Sequence, residues 1–249
     1  GVAAYDTLTN ERYQDLFAEG IFCGKGLINV DAFYTLLDKG MPKERILSHD
    51  IVESGYLRAA YIPDVQITES FPKNAGSYFQ RLERWIRGDW QNIGFIFGKN
   101  PLNFLSRYKM FDNLRRSLTP ALCIFALCFT AVVGGFDGAA VATVSLFALC
   151  SRNLHSAFSS LFSGGFSMIS RLYYSKTLPA ALNGFAKAFV SVCFSAREAY
   201  TGVSAASKAL WRLYVSKKNL LEWTTAAQSD AEKNRKSFAG FIPAAATSV

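Results

Sequence analysis

Apolar positions change their spacing along this chain, and each change predicts a different kind of element. The short apolar run Gly26-Leu27-Ile28-Asn29-Val30 reads as a strand, which passes into a helix opened by Asp31 and continued through Phe33, Leu36 and Leu37. Ile46-Leu47-Ser48 is a second short apolar approach. After it, Ser48-His49-Asp50 opens a helix through Ile51, Val52, Tyr56, Leu57 and Ala60. Tyr61–Phe71 alternates like an edge strand interrupted by Pro63, and Gly76–Phe97 carries helical spacing. This order predicts a mixed α/β domain over residues 1–100.

Beyond residue 100 the pattern is helical and far more apolar. From Ser117 to Ser151 the only charged residue is Asp137, within the turn-forming Gly134-Gly135-Phe136-Asp137-Gly138. A helical hairpin over 101–155 follows, with limbs from Leu118 to Val133 and from Ala139 to Cys150. The first limb approaches the roughly 20 residues that cross a bilayer. The second can span only by running past Arg152 toward Phe158, with that arginine snorkelling to the interface. Arg107, Lys109, Arg115 and Arg116 precede the hairpin, and Arg152, Arg171 and Lys176 follow it, so both ends are expected in the cytosol. A buried hairpin in a soluble core is the bland alternative. Residues 180–215 place Leu182, Phe185, Phe189, Val192, Cys193, Ala196, Tyr200 and Val203 at helical spacing among Lys187, Arg197, Glu198, Lys208 and Arg212. That mixture predicts amphipathic helices on a cytosolic membrane face within 156–228, and the Ala/Ser/Lys-rich tail 229–249 reads as disordered.

Composition narrows the function classes. Half of the 249 residues are hydrophobic, only 18% are charged and the net charge is +8, a balance that excludes wholesale disorder and suits an anionic partner. The excess is C-terminal: residues 1–117 carry a net +1 and residues 118–249 a net +7. A nucleic-acid-binding protein is set aside, because Ser117–Ser151 has no place in one. The five cysteines (Cys23, Cys123, Cys128, Cys150, Cys193) show neither disulfide nor zinc spacing, so reduced thiols are expected. The chain opens at Gly1 without a basic, apolar leader and without Met, which reads as no signal peptide and as a missing upstream portion.

Asp50 is the foremost catalytic candidate. An acid at a strand-to-helix junction can place its carboxylate at the rim of a sheet, where open α/β folds bind ligands, and accept a proton from an attacking sugar hydroxyl; it can also be a helix N-cap, and His49 a capping or packing histidine. Arg81, Arg84 and Arg87 follow at i, i+3 and i+6 with Trp85 among them. Planar guanidinium forks suit phosphate oxygens and an indole suits a sugar face, although a solvated basic face has the same spacing. Gly24-Lys25-Gly26 is a weaker feature, a flexible turn with one cation.

Ser48-His49-Asp50 followed by Arg81-x-x-Arg84-Trp85 and an apolar hairpin resembles the C-terminal half of the GT-A-like domain in processive family-2-like glycosyltransferases, the cellulose, chitin and hyaluronan synthases. Tyr13–Phe17, Gly24–Gly26, Val30–Phe33, Ile46–Asp50 with Glu53, Arg84–Gln91, Asn113–Leu118 and Leu220–Ala226 together resemble more narrowly the transferase part of the cyclic β-1,2-glucan synthases. The resemblance implies an inverting membrane hexosyltransferase that moves glucose from UDP-glucose to a growing β-glucan, in a bacterial inner membrane with its catalytic part cytosolic. It implies Asp50 as catalytic base, and His49, Glu53, Lys25, Arg81, Arg84, Trp85 and Arg87 around donor and acceptor. It also implies a divalent metal, Mg²⁺ or Mn²⁺, on a D-x-D motif; none occurs in this sequence, so the ligands are expected upstream and this stretch is not expected to be active alone. The partners implied are a UDP-sugar, a glucan acceptor and a lipid bilayer, with no nucleic acid. A processive synthase of another polysaccharide, or a non-catalytic membrane scaffold that tolerates loss of Asp50, is the alternative.

Overall fold

A computed structural model describes residues 7–22, 24–38, 41, 45–62, 64–65, 72, 74–162 and 171–222. The helices are α1 (Thr7–Phe17), α2 (Val30–Leu37), α3 (Asp50–Leu57), α4 (Ala75–Gln91), α5 (Ile93–Phe97), α6 (Phe104–Val133), α7 (Gly135–Phe162) and α8 (Arg171–Leu210), followed by a π-helical turn, Trp211–Ser216. No strand occurs among the described residues. The α/β character expected of the first hundred residues is therefore not seen in them, and the described fold is helical.

The two apolar approaches, 26–29 and 46–48, are irregular segments. A strand requires a partner for its backbone, and Leu27 is left 99% exposed. Helix α2 begins at Val30 and is capped by Asn29, whose Oδ1 accepts from the Ala32 N–H at 3.0 Å. Asp31, expected to open the helix, lies in its first turn, where a negative charge suits the helix dipole. Of the expected edge strand, Tyr61, Ile62, Asp64 and Val65 are irregular, and Pro63 and 66–71 lie outside the described residues, as does the whole tail 229–249.

The described residues divide into two compact units. One holds those up to Arg116 together with those from Ser204 onward, and the other holds Ser117–Val203. The first unit thus runs past residue 100 and takes in the N-terminal half of α6. Its core joins Ile51 and Val52 of α3 to Ile96, Leu102, Met110 and Leu114, with Met41, Tyr56, Trp90, Ile93 and Phe95 packed against them. Arg107 donates to the carbonyls of Ile96, Asn100 and Leu102, and Lys109 is buried against Glu19. Two of the basic residues read as membrane flanks are therefore spent inside this unit.

In the second unit, Gly134 and Gly135 adopt φ of +63° and +60°, a left-handed geometry that glycine alone enters without steric cost. The turn is shorter than the expected Gly134–Gly138, since α7 already begins at Gly135. Helices α7 and α8 meet through small residues: a Cβ on Gly184 would lie 2.7 Å from that of Ala157, and Ala181 and Ala188 are buried. Phe125, Val132, Phe136 and Phe147 are each more than 60% exposed. Among the described residues, Thr177–Ser216 is the stretch long and apolar enough to cross a membrane, while the apolar part of α7, Gly135–Ser151, is shorter.

Candidate functional site

The first turn of α3 carries three of the residues singled out in the sequence. Asp50 is the first helical residue and His49 is the N-cap, without any side-chain cap bond; Asp50 is therefore not an N-cap. The His49 imidazole is engaged one turn on, its Nδ1 lying 2.7 Å from Glu53 Oε1 and 3.5 Å from Asp50 Oδ1. The hydrogen bond to Glu53 raises the pKa of His49 above its ordinary value. Glu53 is buried and Asp50 is one-third exposed. Burial pushes the Asp50 carboxyl up, with Glu53 adding to this and His49 and Arg84 opposing it.

Arg84 is near enough for its charge to act on Asp50, and burial and the neighbouring Arg81 lower its own pKa. Arg81 stacks on Trp85, its guanidinium carbon 4.4 Å from the ring centroid. The acid of α3 thus meets a guanidinium of α4, and a second guanidinium of α4 carries the indole. On the near side of the acid stands Gly24, with φ of +85°; a Cβ there would lie 2.9 Å from Asp50 Oδ2. Lys25, next to it, is exposed. The structure does not bring Arg87 to this face. Arg87 is buried, donates from Nη2 to the Glu222 carbonyl at 2.8 Å and feels the charges of Arg212, Glu83 and Glu222.

His49, Asp50 and Glu53 hold their donor atoms within 4.8 Å of one another, so their fit to a divalent ion can be judged. Mg²⁺ and Mn²⁺ on a nucleotide diphosphate favour oxygen donors. Here the one nitrogen is committed to Glu53, and Asp50 already feels the cationic Arg84. The trio does not fit the metal that the resemblance implies.

Sequence reasoning missed the buried carboxylate Glu19, which accepts from Lys109 Nζ at 2.9 Å and Arg58 Nη1 at 2.6 Å. Burial would raise its pKa, but Lys109, Arg58 and Asn103 hold it below the ordinary value. No local signal marks a pair separated by most of the domain. Gly88 did carry one, since a glycine inside a helical pattern costs about 1 kcal/mol against Ala and usually has a packing reason.

No protein-family model matches the chain. Its relation is to the transferase part of a cyclic β-1,2-glucan synthase. That relative is cyclic beta-(1,2)-glucan synthase NdvB of Rhizobium meliloti (strain 1021), 35% identical over 234 residues. The match takes in 92% of this chain and 8% of that protein, so the chain spans a small part of its relative's length.

Proposed function

We propose that this chain is the acceptor-side portion of an inverting membrane glycosyltransferase that passes glucose from UDP-glucose to a growing β-glucan, cyclic β-1,2-glucan by its relative. The observation that carries the reading is the partly exposed Asp50 carboxylate, raised in basicity by burial and standing within the field of Arg84 beside Trp85. In the reaction, an acceptor hydroxyl attacks the anomeric carbon, the bond from that carbon to the UDP oxygen breaks, and the hydroxyl proton passes to Asp50 Oδ. Arg84, with Arg81, offsets the charge gathering on the departing diphosphate. Trp85 offers the acceptor sugar an indole ring for stacking. Glu53 holds His49, and His49 in turn lies against Asp50. A divalent ion would belong to donor-side residues that this sequence does not contain. The relative and the exposed apolar surface of the second unit support a place in a bilayer, and a bacterial inner membrane with the site in the cytosol fits the UDP-sugar supply.

Two substitutions in the full-length enzyme test this. Asp50→Asn keeps the size and helix compatibility but removes the proton acceptor, so glucose incorporation is expected to fall about 10² to 10⁴-fold with donor binding and melting temperature little changed. Arg84→Lys keeps the charge and loses the planar fork, and should lower activity strongly. Near-normal glucan synthesis by both variants would refute the assignment and favour a scaffold.

A further inference from the structure

We propose that Gly88, Gln91 and Asn92 are positioning residues for Asp50, forming a shelf on α4 that seats the backbone of Leu47 and Ser48 and so fixes where α3 begins. The proposal rests on the reading of Asp50 as the catalytic base. Its starting point is what α3 lacks: the N-cap residue makes no side-chain cap bond, because the His49 ring is taken by Glu53. Something else must set the helix start, and α4 supplies it. A Cβ on Gly88 would lie 2.5 Å from Ser48 Cβ, 3.0 Å from its nitrogen and 3.3 Å from its Cα. These are backbone and near-backbone atoms, so no flexible side chain could yield, and any residue larger than glycine must push the 47–50 segment away. Buried Gln91 accepts from the Leu47 N–H through Oε1 at 2.8 Å, and buried Asn92 donates from Nδ2 to the Ser48 carbonyl at 2.9 Å.

Two costs support the assignment. Glycine inside α4 forgoes about 0.5–1 kcal/mol of helix stability against Ala. Asn92 Oδ1 is buried without a partner, a penalty tolerated where its other amide atom is needed. The shelf also reaches beyond the site. Gln91 Nε2 donates to the Leu220 carbonyl at 3.0 Å, beside the Arg87 bond to Glu222. One amide therefore ties the segment that presents Asp50 to the strap that follows the π-helical turn.

The test is a double-mutant cycle in the full-length enzyme, read as kcat and donor KM. Gly88→Ala favours the helix in isolation, so a loss of activity with no loss of melting temperature would be a positioning effect. Gly88→Ala is expected to lower kcat about 10 to 100-fold, the scale of a misplacement near 1 Å, with donor KM changed less than about twofold. Ser48→Gly removes the nearest atom that the new methyl meets and leaves the Ser48 nitrogen and Cα at 3.0 and 3.3 Å, so the penalty of Gly88→Ala should be clearly smaller when it is combined with Ser48→Gly. An equal penalty with and without Ser48→Gly, or none in either case, overturns the shelf. If Gly88→Ala does not accumulate as folded protein, Gln91→Met carries the test with the same split of kcat from KM, and normal kcat there overturns it. Asp50→Asn measured alongside separates the two ideas. An inactive Asp50→Asn with a fully active Gly88→Ala sinks the shelf alone, whereas an active Asp50→Asn removes the base and the shelf with it.

Discussion

Asp89 lies beyond Arg84 on α4, its carboxylate accepting from Asn113 Nδ2 at 3.0 Å. Burial pushes its pKa from the ordinary 3.8 to about 7, against the hydrogen bond from Asn113 and the charge of Arg116, both on α6. A carboxyl that titrates higher in the fold than in the open chain binds more protons folded than unfolded between those values. Its contribution is fully present below pH 3.8 and is lost as the pH rises to about 7. Asp89→Asn keeps an acceptor for Asn113 and cannot ionise, so the variant should lose that decline and be more stable than the parent at pH 8. Thermal unfolding of detergent-solubilised protein at pH 5 and pH 8 checks this; equal pH dependence in both proteins would refute it. His49, also raised, loses its own contribution as the pH climbs through its folded value, equally in both. At this scale the sequence singled out Asp50, Arg84 and Trp85 as candidates, because each is a reactive type at a local position within a motif. It could not disclose the raised titration of Asp89, since that depends on a helix whose contact lies at Asn113. Arg87 misled for the same reason: spacing along α4 put it with Arg81 and Arg84, and the contact with Glu222 that draws it off is nonlocal.

Helices were legible wherever apolar residues recur at helical spacing over two turns or more, as in α3, α4 and α6. The expected strands do not occur among the described residues: a short apolar run such as Ile46-Leu47-Ser48 has the same composition whether it pairs with a strand or rests on a helix, and here Gln91 and Asn92 take up its backbone groups. Helix α6 shows how far charge counting carries. Lys109 and Arg115 looked alike as flanking cations, but Lys109 is buried with Glu19, while Arg115 is 57% exposed at the side chain and pairs with Asp112 on its own helix. Removing Lys109 takes away the buried partner of Glu19 and leaves that carboxylate to Arg58, a cation 63% exposed at its side chain. Lys109→Ala should therefore cost about 3–5 kcal/mol, and Arg115→Ala, which breaks a surface pair, about 0–1 kcal/mol. Denaturant unfolding of the two variants tests the contrast, and equal losses would mean that Arg58 alone suffices to hold Glu19.

For the whole molecule, the contacts within the first unit constrain how the chain can meet a membrane. Lys208 binds Glu83 at 2.6 Å, and Leu220 and Glu222 are held by Gln91 and Arg87. The chain that leaves this unit at Ser117 thus returns to it by Ser204, and any membrane in between must be crossed an even number of times. If α8 spans, α6 and α7 must together make an odd number of crossings; if α6 and α7 form a two-span hairpin, α8 stays on the surface. Thr177–Ser216 has the length and apolarity to span, but Lys187 is exposed near the middle of its apolar part. A lysine at that depth costs roughly +2.5 to +3.5 kcal/mol on insertion scales, and the small-residue contact with α7 needs no crossing. We therefore expect α8 to lie along the cytosolic surface with its aromatic side chains in the headgroup region. In a cysteine-free background of the full-length protein, single thiols at Lys99, Ser175 and Lys218 should resist an impermeant reagent until the membrane is ruptured, while one at Asp137 should react from outside. Ser175 labelled from outside, with Lys99 and Lys218 protected, would show that α8 crosses; Lys99 and Lys218 on opposite sides would break the even-crossing rule itself.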